Sequence, residues 1–309
     1  MLKNIHNFIK DNIISSKLIF KINNILGTSN NMEDSVYLKS MYKIYMKKNL
    51  NLSNPETFNE KIQWLKLYDR KPEYTMMVDK YKVREYIAEK IGAEYLIPLI
   101  GVWNNPNEID YECLPNQFVL KCNHDSGGLS ICRDKDSFDF KKAKKKLTKS
   151  LKTNYYYSGR EWVYKDVKPL VLAEKYMEDR SSNQLTDYKF YCFNGEVKFL
   201  YISTGLEDHS TARIGFYDLD FNKMKFRRSD YALPEKDPIK PQNFDKMIEI
   251  AKKLSHDIPF IRVDLYNIND KIYFSELTFY PCSGYMPFEP EEWDYKLGQL
   301  IELPEIRNN

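Results

Sequence analysis

The chain has 309 residues, with 47 lysines and arginines against 44 aspartates and glutamates, a net charge of +3. That length exceeds one compact unit and predicts two or three subdomains around a shared cleft, while the near-neutral balance gives no reason to expect a nucleic-acid partner. Five cysteines without a C-x-x-C pair, and four histidines without ligand spacing, exclude a disulfide framework, a zinc knuckle and a zinc hydrolase and fit a reducing cytosol.

Residues 2–26 come first, with Leu2, Ile5, Phe8, Ile9, Ile13, Leu18, Ile22 and Ile25 near helical spacing and Lys3, Lys10, Lys17 and Lys21 between them. Such a segment either packs on the body or lies on an anionic membrane surface; no run of about 18 apolar residues exists to span a bilayer. From 32 to about 95 the pattern is helical. NPETFNEKIQWLKLYDR and YTMMVDKYKVREYIAEKIG read as two amphipathic segments, started by Asn54-Pro55-Glu56-Thr57 and stopped by Gly92. Short apolar runs, YLIPLIGVW and QFVLKCNH, predict strands and a mixed α/β region. A helix is expected over 138–152, including the basic run Lys141–Lys146, and then a strand in PLVLAEKYM. DYKFYCFNGEVKFLYIS reads as a hairpin turning at Asn194-Gly195, FYDLDFNKMKF as another, and 244–256 as an amphipathic helix. The proline-containing loop 229–243 is long enough for a lid or a surface excursion.

The most specific stretch is FIRVDLYNINDKIYFSELTFYP, residues 260–281, two predicted strands that carry Arg262, Asp264 and Glu276. Parity decides whether the acids meet. With an odd loop, Ile268 to Asp270, Arg262 faces Glu276 and Asp264 sits diagonally beside it; an even loop turns Glu276 to the other face, leaving an exposed hairpin with solvated charges. Two carboxylates on one face suit Mg²⁺, which takes hard oxygen ligands.

Upstream, Lys121 ends a strand and is followed by His124-Asp125-Ser126-Gly127-Gly128, where glycines let backbone N–H groups approach an anion. This loop lacks Walker A spacing, so a plain turn competes with a phosphate cover. Glu174, Lys175 and Tyr176 end the PLVLAEKYM strand, where a backbone edge can read adenine and Glu174 can accept from its amino group. Lys189 shares a strand face opposite Phe190 and Cys192, and Lys80 and Arg84 lie four apart on one helix face. Several cations, a glycine loop and two acids are what phosphoryl transfer needs, since its catalysis is positioning and charge neutralisation.

In order, DKYKVREYIAEKIG, LIPLIGVW, FVLKCNHDSGG, EWVYKDVKPLVLAEKYMED, DYKFYCFNG, RVDLYNINDKIYFSELTFYP and PEEWDYKLG resemble the TupA-like (teichuronopeptide biosynthesis) ATP-grasp family over residues 40 to 304. The resemblance implies an α+β ATP-grasp fold, two α+β subdomains clasping Mg-ATP. A helical segment 1–52 and a helical region 53–112 would precede a central subdomain 113–176 and a C-terminal subdomain 177–309. It implies ATP and Mg²⁺ as cofactors and a ligase of surface-polysaccharide biosynthesis that joins an amino acid or other amine to a uronic acid through an acyl phosphate. Partners would be a polysaccharide or lipid-linked sugar precursor, at the inner face of the cell membrane. Carried over by position, Lys80, Lys121, Ser126, Gly127, Gly128 and Lys189 would meet phosphates. Glu174, Lys175 and Tyr176 would meet adenine, Glu178 or Asp179 the ribose, Asp264, Glu276 and Thr278 the metal, and Arg262 the transferred phosphoryl group. Two departures stand out: Thr278 replaces a usual Asn, weakening the hold on a second Mg²⁺, and Asp125 stands where glycine is expected, beside the triphosphate. Tyr155–Arg160, Arg213 and Pro281–Tyr285 are expected to read the acceptor. Glycosyl transfer and a non-catalytic assembly role are the alternatives from other classes.

Overall fold

The computed structural model describes residues 29–179, 185–205 and 212–306, so the amphipathic segment 2–26 lies outside the described residues. Two antiparallel sheets carry the architecture. The smaller has the order β1-β4-β2-β3, built from β1 (Leu99–Trp103), β2 (Phe118–Cys122), β3 (Ser130–Cys132) and β4 (Val171–Lys175). Phe118, Leu120 and Cys122 on β2 turn to a core with Val171, Ala173 and Leu147, the last from helix Phe140–Leu151. Pleating sends Val119, Lys121 and Glu174 to the opposite face, which borders a cavity.

The larger sheet has the order β10-β9-β5-β6-β7, from β5 (Asp187–Phe193), β6 (Glu196–Thr204), β7 (Arg213–Tyr217), β9 (Phe260–Ile268) and β10 (Lys271–Thr278). β8 (Arg227–Arg228) pairs separately with β11 (Phe288–Glu289). Helix Phe244–Ser255 covers one face, where the Phe190 and Phe244 rings meet at 5.9 Å. Helix Phe58–Tyr68 covers one end of the other face, with Phe58 edge-on to Phe260 at 5.0 Å. The remaining end of that face, with Asp187 and Lys189, is left to the polar cluster described below.

Local chemistry accounts for these elements. Thr57 accepts from the Glu60 N–H while Glu60 accepts from the Thr57 N–H, a complete capping box that starts helix Phe58–Tyr68. Asn194 and Gly195, at φ of 51° and 79°, form the two-residue turn between β5 and β6. Three expectations change. The segment 74–92 is two helices, Glu73–Val78 and Val83–Lys90, because Asp79 adopts an extended conformation and its carboxylate accepts from the Tyr81 and Lys82 N–H groups. FYDLDFNKMKF closes as a tight loop with one bridge, Tyr217 to Lys223, instead of two paired strands. The loop 229–243 is tied along β7, where Ile214 N–H donates to the Ala232 carbonyl and the Tyr217 hydroxyl to Asp237.

The loop between β9 and β10 is even, Asn269-Asp270 with Lys271 opposite Ile268, which alone would turn Glu276 off the face. A bulge at Ser275, between the pairs Phe274–Leu265 and Glu276–Asp264, adds one residue and turns it back. Glu276 therefore stands directly opposite Asp264, and Thr278 opposite Arg262.

Candidate active site

A cavity of about 780 Å³ lies between the two sheets. Its apolar walls include Val83, Leu96, Ile97, Val119, Ile131 and Phe274, and its polar groups include Lys80, Lys121, Lys146, Glu174 and Lys175. An apolar slot with cations at one side is the shape and charge of a nucleotide site.

Strand pairing assembles the polar face of the larger sheet. Lys189 on β5 lies opposite Asp264 on β9 and Tyr201 on β6, so three strands deliver one layer. Asp264 is fully buried. Arg262 donates to both of its oxygens, Nε to Oδ1 at 2.7 Å and a terminal nitrogen to Oδ2 at 2.6 Å, and Lys189 Nζ donates to Oδ2 at 2.6 Å. Lys189 also donates to Asp187. Arg262 reaches on to the Tyr201 hydroxyl at 3.3 Å, to Glu276 at 3.3 Å and to the Thr278 hydroxyl at 3.0 Å. Burial works against the Lys189 charge, but Asp187 and Asp264 hold the ammonium well above its usual range.

Glu276 differs from Asp264 in exposure, with 36% of its side chain accessible. Burial favours its neutral form, yet the field of Lys80, Lys189, Arg262 and Lys121 brings its carboxyl down to about 2. Two cavity-lining lysines are therefore felt at Glu276, which places the cationic end of the cavity beside the polar face of β9 and β10.

The glycine loop is anchored from below. Asn123, fully buried, donates to Asp79 at 2.8 Å and accepts from Leu170 N–H at 2.7 Å, fixing the loop's first residue between two segments. Gly127 adopts φ +87° with open space around it and lines the cavity. Asp125 is turned to helix Phe140–Leu151, where the Ser150 hydroxyl donates to its carboxylate, and Lys80 donates to its carbonyl at 2.6 Å. Gly128 makes room for that carboxylate: a Cβ there would overlap it. His124 is buried, with Nε2 at 3.2 Å from the Ser150 carbonyl and 3.1 Å from that of Thr153.

On the smaller sheet, Lys121 and Glu174 pair with each other at 2.6 Å, diagonal neighbours across β2 and β4, and Arg84 stands 3.6 Å from the same carboxylate. The reading of the sequence set these two groups at opposite ends of a nucleotide; the register brings them together. The Lys175 N–H donates to the Pro98 carbonyl, and the Tyr176 hydroxyl accepts from Arg133 at 3.1 Å. Of the two ribose candidates, Glu178 lines the cavity, whereas the Asp179 carboxylate accepts from the Asn269 N–H in the β9–β10 turn. Ser126 is not among the cavity-lining residues. Of the acceptor candidates, Arg160 is buried and occupied elsewhere, donating to the Ser29 carbonyl at 2.5 Å and lying over the Tyr37 ring at 4.6 Å.

Sequence reasoning missed Asp187. It is buried, its Oδ1 has no hydrogen-bond partner among the described residues, and burial lifts its carboxyl to about 6 despite Lys189. The alternation Asp187, Lys189, Tyr191 on one strand face was the available signal. Lys66 was missed too: fully buried, it donates to the Gly159 carbonyl at 2.9 Å and to the Ser283 carbonyl and hydroxyl at 2.7 and 2.8 Å. It holds Cys282 and Ser283 in the left-handed region, φ 51° and 53°, where non-glycine residues sit at a cost of about 1–3 kcal/mol.

Mg²⁺ fits the donor set, which is carboxylate and hydroxyl oxygen only. Glu276 has an accessible carboxylate, whereas both Asp264 oxygens are engaged by Arg262 and Lys189. Among the described residues no group of three or more His, Cys, Asp and Glu is placed to hold a metal, so phosphate or water oxygens would complete the shell. Among the same residues no helix is long and apolar enough to cross a membrane.

No curated protein matches the chain. Among solved structures, D-alanine–D-alanine ligase from Helicobacter pylori is similar, at 17% identity over 79% of this chain and 69% of that one, TM-score 0.45. Carboxyaminoimidazole ribonucleotide synthase from Aspergillus clavatus, complexed with ATP, gives 14% identity, 66% and 45% coverage and TM-score 0.39. A RimK domain ATP-grasp protein from Sphaerobacter thermophilus gives 9%, 76% and 70%, and 0.39. The chain spans less than half the length of the synthase, and likenesses this distant carry no argument of their own. The profile of TupA-like ATP-grasp proteins, by contrast, matches residues 60–302, most of the sequence. The chain belongs to the TupA-like ATP-grasp family, and with that membership come the ATP-grasp fold and the class of ATP-dependent ligases.

Proposed function

We propose that the protein joins an amine to a carboxylate on a surface-polysaccharide precursor, with an amino acid and a uronic acid as the pair. The observation that carries this reading is the layer of Lys189, Arg262, Asp264 and Glu276 beside a cavity whose lysines depress Glu276. Mg-ATP, when bound, supplies the phosphoryl group. A carboxylate oxygen of the acceptor bonds to the γ-phosphorus as ADP leaves; the amine nitrogen then bonds to the acyl carbon as inorganic phosphate leaves and the amine loses a proton.

This chain's residues position and neutralise. Lys80 and Lys121 meet phosphate oxygens, with Lys121 exchanging its Glu174 partner for phosphate. Ionised Glu276 would hold the metal, with Asp264 as a second candidate ligand, and Lys189 would meet phosphate. Arg262, held by Asp264 and Tyr201, offers its remaining donors to the charge that develops in transfer. Gly127 and Gly128 cover the phosphates and exclude water. Peripheral contact with the inner face of the cell membrane through residues 2–26 belongs to the same reading, since a lipid-linked precursor is met there.

The test is mass spectrometry of the purified protein with Mg-ATP, a panel of uronic acids and an amino-acid pool. A condensation product with equimolar ADP and phosphate is expected. ADP release without an amide would sink the reading.

A further inference from the structure

Helix Phe140–Leu151 has six lysines in twelve residues, with Lys152 as its C-cap, and no acidic residue in its first turn. Its inner side is spent on the protein. Ala143 and Leu147 are buried, Lys146 donates to the Leu129 carbonyl at 2.6 Å, and Ser150 holds Asp125. The outer face presents Lys141, Lys142, Lys145, Lys149 and Lys152, all exposed, and among the described residues none has a carboxylate partner. Helix Phe244–Ser255 is the contrast within the same molecule. There Lys246 and Lys253 pair with Glu249 at 2.9 and 3.0 Å, and Lys252 pairs with Glu196 at 2.8 Å.

Two further features set this face against its own helix. Lys141 and Lys145, and Lys145 and Lys149, are like charges four apart, a spacing that destabilises an isolated helix. Lys141 and Lys142 also sit in the first turn, where the helix dipole is positive and disfavours cations. The N-cap Asp139 carboxylate accepts from the Lys142 N–H and offsets the first turn, but among the described residues no carboxylate pairs with a lysine side chain of this face, and so many unpaired like charges on one face point to a counter-charge from outside. Lysine is a strongly hydrated point charge without the planar fork of arginine, which suits a diffuse layer of anionic headgroups better than a shaped anion.

We infer that the outer face of helix Phe140–Leu151 is a docking surface for a bilayer containing anionic phospholipid. The inference does not rest on the ligase reading. The chain enters the described body at Ser29, whose carbonyl is held by Arg160, nine residues beyond the end of this helix. The preceding sequence, 2–26, alternates apolar residues with lysines. A polybasic face and an amphipathic segment are the two signals that durable peripheral attachment takes. The docked helix is also the one that anchors residues 124–129, so the glycine loop would work next to the membrane.

The test is co-sedimentation of the full-length protein with phosphatidylcholine vesicles, alone or with about one third phosphatidylglycerol. Binding is expected only with the anionic lipid and should be released between about 0.1 and 0.5 M salt as screening shortens. A triple variant, K141Q/K145Q/K149Q, should bind about a hundredfold more weakly, with a circular dichroism melt no lower than that of the unsubstituted protein. Unchanged vesicle binding by the folded variant overturns the proposal. So does equal binding to neutral vesicles, salt-insensitive binding of the unsubstituted protein, or binding to a soluble polyuronate without binding to anionic vesicles. The salt and neutral-lipid arms decide the matter even where the variant does not fold.

Discussion

Asp264 and Glu276 stand opposite one another on adjacent strands, yet their surroundings give them different work. Asp264 is sealed between Arg262 and Lys189, so its first role is to keep two buried cations in place. Glu276 is accessible and is kept ionised by four cations, and on the proposed reading it is the carboxylate that would meet a metal. Replacement of Glu276 by Gln should lower kcat at least a hundredfold, because the ligand charge is lost while shape is kept. The same substitution reports on stability. A carboxyl brought from 4.5 down to about 2 contributes stability that is complete above about 4.5 and is lost as pH falls toward 2. The Glu276→Gln protein should therefore lose less Tm than the unsubstituted protein between pH 5 and about 3. Equal losses would show that the four cations do not act on Glu276.

Lys66 is the matching case for a buried cation. Burial lowers it to about 8, against the pull of Glu161 and Asp34, while its three protons are all placed on Gly159 and Ser283. Replacement by Ala removes three donated hydrogen bonds and a buried side chain, leaving the Ser283 carbonyl to Gln63 at 2.9 Å and the Ser283 hydroxyl to the Gly159 carbonyl at 3.4 Å, and should cost about 2–5 kcal/mol. The sign of the pH effect is separate. A lysine lowered on folding binds more proton in the unfolded chain between about 8 and 10.5, so the unsubstituted protein gains stability over the Lys66→Ala variant across that window. Urea midpoints at pH 7.5 and about 10 would measure it.

At the scale of elements, the glycine loop offers two neighbouring substitutions with different causes. Gly127→Ala meets open space and suffers only from φ +87°, a cost of about 1–2 kcal/mol in a loop that keeps its anchors. Gly128→Ala overlaps the Asp125 carboxylate and must break its bond to Ser150, removing one of the ties between the loop and helix Phe140–Leu151 while those of His124 and Lys146 remain. The second variant should therefore raise the KM for ATP more than the first while melting at a similar temperature. The reverse order would mean that backbone conformation, and not the anchor, sets the loop.

Elements also show where the sequence was legible. Helix Phe58–Tyr68 was announced by its cap, and the Asn194-Gly195 turn by its dipeptide, because both are fixed by contacts within a few residues. The hairpin from 260 to 278 put its acids on one face, but through an even turn and a bulge at Ser275, in place of an odd loop. A bulge leaves no mark in alternating Tyr, Phe and Ile. Pairing of Lys121 with Glu174, and of Lys189 with Asp187 and Asp264, depends on register between strands far apart in sequence, which single-strand patterns do not contain. Asp187 and Lys66 stayed hidden because a lone Asp at a strand start and a Lys inside an amphipathic helix look like solvated surface.

At the scale of the whole molecule, the apolar residues fall into separate clusters. The five-stranded sheet with helices Phe58–Tyr68 and Phe244–Ser255 belongs to a large core, whereas β1 to β4 rest on a small one around Phe118, Leu120 and Leu147. A small core buries less apolar area for each residue it orders, so the four-stranded sheet should open at a lower free energy than the five-stranded one. In native-state hydrogen exchange, the amides of Leu120 and Ala173 are expected to exchange through such a partial opening, and those of Phe190 and Val263 only through global unfolding. The cavity is walled by both sheets, with Val119 and Glu174 from one and Tyr266 and Phe274 from the other, so if the nucleotide binds there as proposed, opening the smaller sheet would release it. Saturating Mg-ATP, at about a hundred times Kd, adds about 2.7 kcal/mol to any opening that loses it. Protection at Leu120 and Ala173 should thus rise about a hundredfold on adding Mg-ATP. Unchanged exchange there, with ATP demonstrably bound, would place the nucleotide on the larger sheet alone and remove the smaller one from the clasp.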